Sequence, residues 1–288
     1  MIYILLSISC SVTVAVLLKL AKRYQINVLQ AVMSNYLAAI VLSWFFFKPD
    51  FASVTSTAPS GLVIFLGVLL PVLFLILSAS VRNIGIVKTD IAQRLSLFIP
   101  ILAALYLYGE HFNNLKTIGL LGGFAAIVLT LARKSGDQVK TKNYLYPIAV
   151  FIGFGIIDVM FKQLALHQDI PYTSSLLIVF CISLVTAFII LIYNIVVRKQ
   201  KAQLINFACG IVLGCFNFGN ILFYMKAHRA LANNPSTVFA AMNMGVILAG
   251  SLIGIFIFKE KVSKVNYAGI VLALVAILLI TLSQRYAV

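Results

Sequence analysis

Ionisable side chains are sparse in this sequence, and two pairs of them recur at helical spacing inside apolar surroundings. Asp90 and Arg94 are four residues apart, as are Asp158 and Lys162. On a helix such pairs share a face and can neutralise each other. Gln93 stands beside the first pair. A carboxylate on such a face can exchange a proton or grip an amine, and the same pairs can equally be structural, letting polar helices pack. A second group is neutral: Asn35, Asn217, Asn220 and Asn243, with Tyr224 four residues beyond Asn220. Amides offer donors and acceptors without a charge, which suits a cavity for a small polar solute and also interhelical hydrogen bonding. Asn217 and Asn220 lie in "LGCFNFGNILFY", where glycines and aromatics interleave as they do beside a ligand.

The residue types that carry covalent chemistry are not grouped. His111, His167 and His228 fall in or near loops and share no spacing, and no HExxH, GxSxG or phosphate-loop motif occurs. An enzyme is therefore not expected. Cys10, Cys181, Cys209 and Cys215 form no CxxC pair and do not cluster with histidine, so neither a zinc site nor a disulfide framework is indicated. No metal or cofactor is expected.

The elements that must position the polar groups are long and greasy. The chain of 288 residues is 62% hydrophobic and 10% charged, with a mean hydropathy of +1.07. So few charges cannot cover so much apolar surface in water, which makes the lipid bilayer the expected solvent. A bilayer core needs about 20 apolar residues per helix. Ten stretches qualify, near 2–21, 28–47, 61–82, 86–108, 115–132, 144–165, 173–197, 204–226, 235–258 and 265–283. Backbone in lipid must satisfy its own hydrogen bonds as helices or a closed barrel; runs this long without strict alternation are helices. "SISC" at 7–10 faintly resembles a lipoprotein cleavage site, but no positive residue precedes it and the apolar run continues. Residues 1–21 are read as an uncleaved first membrane helix. Pro71 and Pro100 fall inside helices 3 and 4, where a missing donor can kink the chain, so both are hinge candidates. Pro171 and Pro235 sit near helix starts, where proline is ordinary. "GIVLG" (210–214) and "GSLIG" (250–254) fit close helix packing through small residues.

One connection is long and polar, "ARKSGDQVKTKN" at 132–143, and it divides the chain into five helices and five helices. The predicted units are residues 1–133, a linker 134–143, and residues 144–288. A repeat supports the division. Glu110 ends an apolar run and Gly119 opens the next; Glu260 and Gly269 repeat this at an offset of 150. Because five is odd, the second half must enter the membrane from the opposite side, giving an all-α integral membrane protein of ten transmembrane helices in two inverted five-helix repeats. The net charge of +15 is distributed accordingly: the cations lie in short connections, with no basic stripe of interleaved aromatics, so nucleic acid is excluded as a partner. Sixteen of the 22 Lys and Arg fall on one face, which the positive-inside rule makes cytoplasmic, leaving both termini outside. Helix parity puts Glu110 and Glu260 at opposite faces, at the water's edge. A carboxylate just before a helix N-terminus is favourable with the dipole, so both are read as caps that start helices 5 and 10.

Ten helices, the internal Glu–Gly repeat, the cation ending the first helix of each half (Lys19, Lys162) and "TDIAQRLSLFIPILAALYLYGE" at 89–110 resemble the EamA family of the drug/metabolite transporter superfamily, over the whole chain. The resemblance implies that helices 1–4 and 6–9 surround a central cavity with helices 5 and 10 outside. It implies export or exchange of small metabolites, such as amino acids, by alternating access in a bacterial inner membrane. Asn35 stands where a basic residue is common in the family, and the charge distribution reverses the family's usual placement of the termini. The expectation is a monomeric secondary transporter whose walls come from helices 1, 3, 4, 6, 8 and 9. If protons are the coupling ion, Asp90 is the first choice of carrier and Asp158 the second. A carrier of sugars, nucleotide sugars or lipid-linked sugars is the other transport reading, and a non-transporting membrane scaffold is a reading from a different class.

Overall fold

A computed structural model describes residues 1–47, 60–84, 86–131, 145–166, 172–257, 259 and 263–283. Among the described residues all regular structure is helical, in eleven helices. They are α1 (Ile2–Arg23), α2 (Val28–Phe47), α3 (Ser60–Ile84), α4 (Ile86–Leu95), α5 (Phe98–Tyr106), α6 (Asn114–Leu131), α7 (Leu145–Leu166), α8 (Tyr172–Val196), α9 (Leu204–Ala230), α10 (Pro235–Phe256) and α11 (Lys264–Ser283). Seven are long and apolar enough to cross a membrane; the shorter apolar stretches are Ile2–Leu18, Ala92–Tyr106 and Asn114–Thr130.

The expected fourth helix is two helices. Pro100 has no N–H to give the carbonyl of Ser96, and its ring crowds that carbonyl. The chain breaks there: Ile99 N bonds Ser96 O at 3.0 Å and Leu97 N bonds Arg94 O at 3.3 Å, three-residue closures where four-residue ones would continue the helix. Pro71, by contrast, lies inside an unbroken α3. α5 ends in a left-handed turn. Gly109 has φ +61°, and Glu110 N reaches back to Ala104 O at 3.0 Å. The second copy of the motif uses the same backbone shape with a worse residue, since Lys259 has φ +52°.

α2 lies against α8, and α6 against α11. Four pairs of contacts correspond when the predicted units 1–133 and 144–288 are exchanged, α1·α9 with α3·α7, α2·α9 with α3·α8, α1·α10 with α4·α7, and α10·α11 with α4·α6, whereas α7·α9 has no comparable α1·α3 contact. The starts of α6 and α11 show how local sequence fixes this. Asn113 caps α6 by accepting from Lys116 N at 2.8 Å, and Ser263 and Asn266 form a reciprocal capping box at α11. Each start also ties down the other helix's end. Asn113 Nδ2 donates to Ser283 O at 3.0 Å; Asn266 Nδ2 donates to Thr130 O at 2.7 Å.

Asn113 and Ser263 thus hold the places expected for the glutamates. Glu110 does not start its own helix and is not at the water's edge: it is 6% exposed. Its chain has already been turned by Gly109 toward α10, so the carboxylate meets that helix. Glu260 lies outside the described residues.

Candidate functional site

α9 carries the polar ladder. Asn217, Asn220, Tyr224 and His228 recur every three or four residues and therefore share one face. The ladder is presented to its neighbours because the same helix is bare one turn earlier. A Cβ on Gly210 would overlap the Ala31 carbonyl and the Ser34 side chain, and one on Gly214 would stand 2.5 Å from the Asn35 carbonyl oxygen. With no side chain at either position, α2 and α9 close to backbone contact. Asn217 Nδ2 then donates to Asn35 Oδ1 at 3.2 Å. Asn35 Nδ2 is buried with no protein hydrogen-bond partner. On the other flank, the Ser7 hydroxyl of α1 is shared between the backbone carbonyl (2.9 Å) and Oδ1 (2.8 Å) of Asn220.

Charge enters from α7 and α4. The Tyr224 hydroxyl donates to Asp158 Oδ1 at 3.0 Å, and the Arg94 guanidinium acts electrostatically on the same carboxylate. Asn243 of α10 donates to its own helix, to Phe239 O at 3.1 Å. Phe239 packs on Tyr224. One turn back along α9 from Tyr224 reaches Asn220, and one turn along α10 from Phe239 reaches Asn243; on antiparallel neighbours these two turns lead to the same depth. Gln93, Arg94, Asp158, Asn220 and Asn243 are half-buried, whereas Asn35, Asn217 and Tyr224 are buried. The half-buried carboxylate of Asp158 and guanidinium of Arg94 act on each other and can hold both ends of a small polar molecule.

The structure reassigns several partners. Asp158 bonds Tyr224 rather than its helical neighbour Lys162. Lys162 is 0% exposed, its Nζ donates to Ala232 O at 2.8 Å, and it lies 5.5 Å over the Tyr108 ring. A shared helix face leaves two side chains free to take partners on different neighbours, and here both did. The Asp90 side chain lies outside the described residues, so α4 is represented by Gln93 and Arg94. His228, expected near a loop, is inside α9. It is 0% exposed, edge-on to Tyr224 at 4.6 Å and tilted against Phe239 at 4.7 Å, with neither ring nitrogen hydrogen-bonded to protein. Hydropathy ended that helix at residue 226, because Lys226, His228 and Arg229 follow. The signal that was available is the four-residue step from Tyr224.

Near this ladder, at the start of α10, sits Glu110. Its Oε2 accepts from Ser236 N at 2.9 Å and its Oε1 from Ser236 Oγ at 2.9 Å. Lys116 forms an ion pair with Oε1 and also donates to Asn234 Oδ1 at 3.2 Å. Asn234 is the N-cap residue of α10 but makes no side-chain cap bond of its own. The cap is supplied from across the molecule.

A ladder of amides and charges inside a bundle of membrane-length helices defines a multi-pass integral membrane protein with a polar interior. The model of the EamA-like transporter family matches residues 141–282, the stretch from α7 through α11. The chain belongs to the EamA family of the drug/metabolite transporter superfamily. It is 42% identical over 284 residues to an uncharacterized protein of Haemophilus influenzae, covering 95% of each chain. A protein of known crystal structure has the same fold, with a TM-score of 0.70 at 14% identity, covering 100% of this chain and 98% of that one.

Proposed function

We propose that this protein is a monomeric secondary transporter of small polar metabolites such as amino acids, working by alternating access in the inner membrane. The observation that carries the reading is the half-buried polar site built across both halves, with Gln93 and Arg94 from the first and Asp158, Asn220 and Asn243 from the second. In this reading residues 1–133 and 144–288 are inverted five-helix repeats joined by 134–143, and α4 with α5 makes one of ten spans. The pairing of contacts under exchange of the halves supports it, since two states then differ only in which half adopts which shape. Asp158 takes a substrate amine and Arg94 a carboxylate. A neutral sugar would leave that charge pair without a task, so amino acids stand before sugars. If protons drive the cycle, Asp90 and Asp158 are their carriers, and neither catalysis nor a cofactor is involved.

Side-chain environment also supports termini outside the cell. Six cations lie on the face with the termini, and the four whose side chains are described all lie over aromatic rings. Lys116 sits on Phe112, Lys162 on Tyr108, Lys226 on Tyr3 and Arg229 on Tyr172, at 4.8 to 5.8 Å. Cations engaged by protein compete weakly for anionic lipid, which leaves the sixteen on the other face to set orientation.

The test is a metabolite screen comparing uptake and release in cells with the protein, without it, and with Asp158→Asn at equal expression. A transported amino acid whose flux falls with D158N is expected; equal metabolite profiles in all three would refute the reading. A cysteine at position 137 should label only from the cytoplasm.

A further inference from the structure

We propose that Glu110 is a latch that holds the end of the molecule bearing the termini shut, by capping a helix of the opposite half. It rests on the alternating-access reading, which gives the molecule two ends that open in turn. The segment between α5 and α6 belongs to the first half, yet several of its side chains bond to the second. Glu110 accepts from the backbone and hydroxyl of Ser236. Lys116 joins Glu110 to Asn234. The Tyr108 hydroxyl donates to Val159 O at 3.3 Å, and its ring lies under Lys162, which in turn holds Ala232 O. The start of α10, the end of α7 and the turn before α10 are all tied to one short connection.

The chemistry of the contact fits one made to be broken. A buried ion pair adds little net stability, because desolvating both charges offsets their attraction. Open, both groups regain water; closed, Glu110 satisfies a helix N-terminus that its own N-cap residue leaves unsatisfied. The closed state is therefore favoured by no more than about a hundred-fold, a gap that a gate can cross, whereas an apolar seal would favour closure further. The latch also has a lever. α5 is a nine-residue helix between the break at Ser96–Leu97 and the turn at Gly109, and α4, with Gln93 and Arg94 at the site, lies beyond the break. Displacement at the site is thus passed to Glu110 through one short rigid piece.

Thiol accessibility tests the latch without knowledge of the substrate. Thr237 is 0% exposed and follows Ser236. With the four native cysteines replaced by serine, Thr237→Cys in proteoliposomes should react slowly with a membrane-impermeant cationic methanethiosulfonate. Adding Glu110→Gln should speed labelling about ten- to a hundred-fold, the population shift from losing a charge-assisted hydrogen bond present in only one state. Lys116→Gln should move it in the same direction, and serves as the reading should E110Q not be monodisperse. The swap E110K/K116E restores an ion pair but not the cap, so it should label as fast as E110Q. Unchanged rates in monodisperse E110Q or K116Q, or slow labelling restored by the swap, would overturn the latch. Metabolite flux is measured separately: flux with unchanged labelling sinks the latch alone, and an empty metabolite screen sinks the transport reading alone.

Discussion

Tyr224→Phe is the sharpest probe of the site, because it removes one oxygen and nothing else. The ring keeps its packing, edge-on to Phe161 at 6.4 Å and to His228 at 4.6 Å, so buried apolar area is preserved. What disappears is the 3.0 Å bond to Asp158 Oδ1. A hydrogen bond to a charged acceptor contributes about 1.5–3 kcal/mol, and one between neutral groups about 0.5–1.5 kcal/mol. For a chain of this size the larger range corresponds to a fall in Tm of roughly 3–12 °C. The assay is thermal unfolding of purified protein in detergent, run as a double-mutant cycle with Asp158→Asn, which keeps the shape and removes the charge. If Tyr224 holds an ionised Asp158, Y224F should cost more in the wild-type background than beside D158N, with a coupling of about 1 kcal/mol or more. Y224F unfolding within about 0.3 kcal/mol of wild type, or strictly additive changes, would refute the assignment of Tyr224 as the group that orients the carboxylate.

Two further outcomes follow from the backbone. Gly214→Ala should destabilise by about 1–3 kcal/mol in the same unfolding assay, because the added methyl meets the backbone of Asn35 and forces α2 and α9 apart. Lys259→Gly should stabilise by about 0.5–1 kcal/mol, since the left-handed conformation at that position strains a side-chain-bearing residue by somewhat more than glycine's extra chain entropy costs; a lower Tm for K259G would contradict it.

Much of the architecture was legible because it depends on local quantities. Apolar runs of bilayer length give helices whatever they pack against, and the fixed offset between the Glu–Gly motifs is also the offset between two helix starts, Asn114 of α6 and Lys264 of α11. Errors came where an apolar run concealed a local stop or a polar cluster concealed a continuation. Hydropathy passes straight through Pro100, so one helix was expected where α4 and α5 stand. It falls at Lys226, so His228 is expected in or near a loop, although α9 runs to Ala230.

The sequence by itself determined that this is a helical membrane protein and which helices carry its polar residues. Only the tertiary structure decided their partners. Spacing along one helix places Asp158 and Lys162 on a common face, but whether they meet each other or Tyr224 and Ala232 depends on the rotation and depth of α9. Those are set by glycines that admit α2 to backbone contact. Glu110 shows the same division. "YGE" encodes a left-handed turn and a carboxylate beyond it; that the carboxylate caps α10 rather than α6 follows from the neighbour on which the turn directs it. A helix N-terminus accepts an anion from any direction that reaches it, and only the assembled fold specifies which anion does.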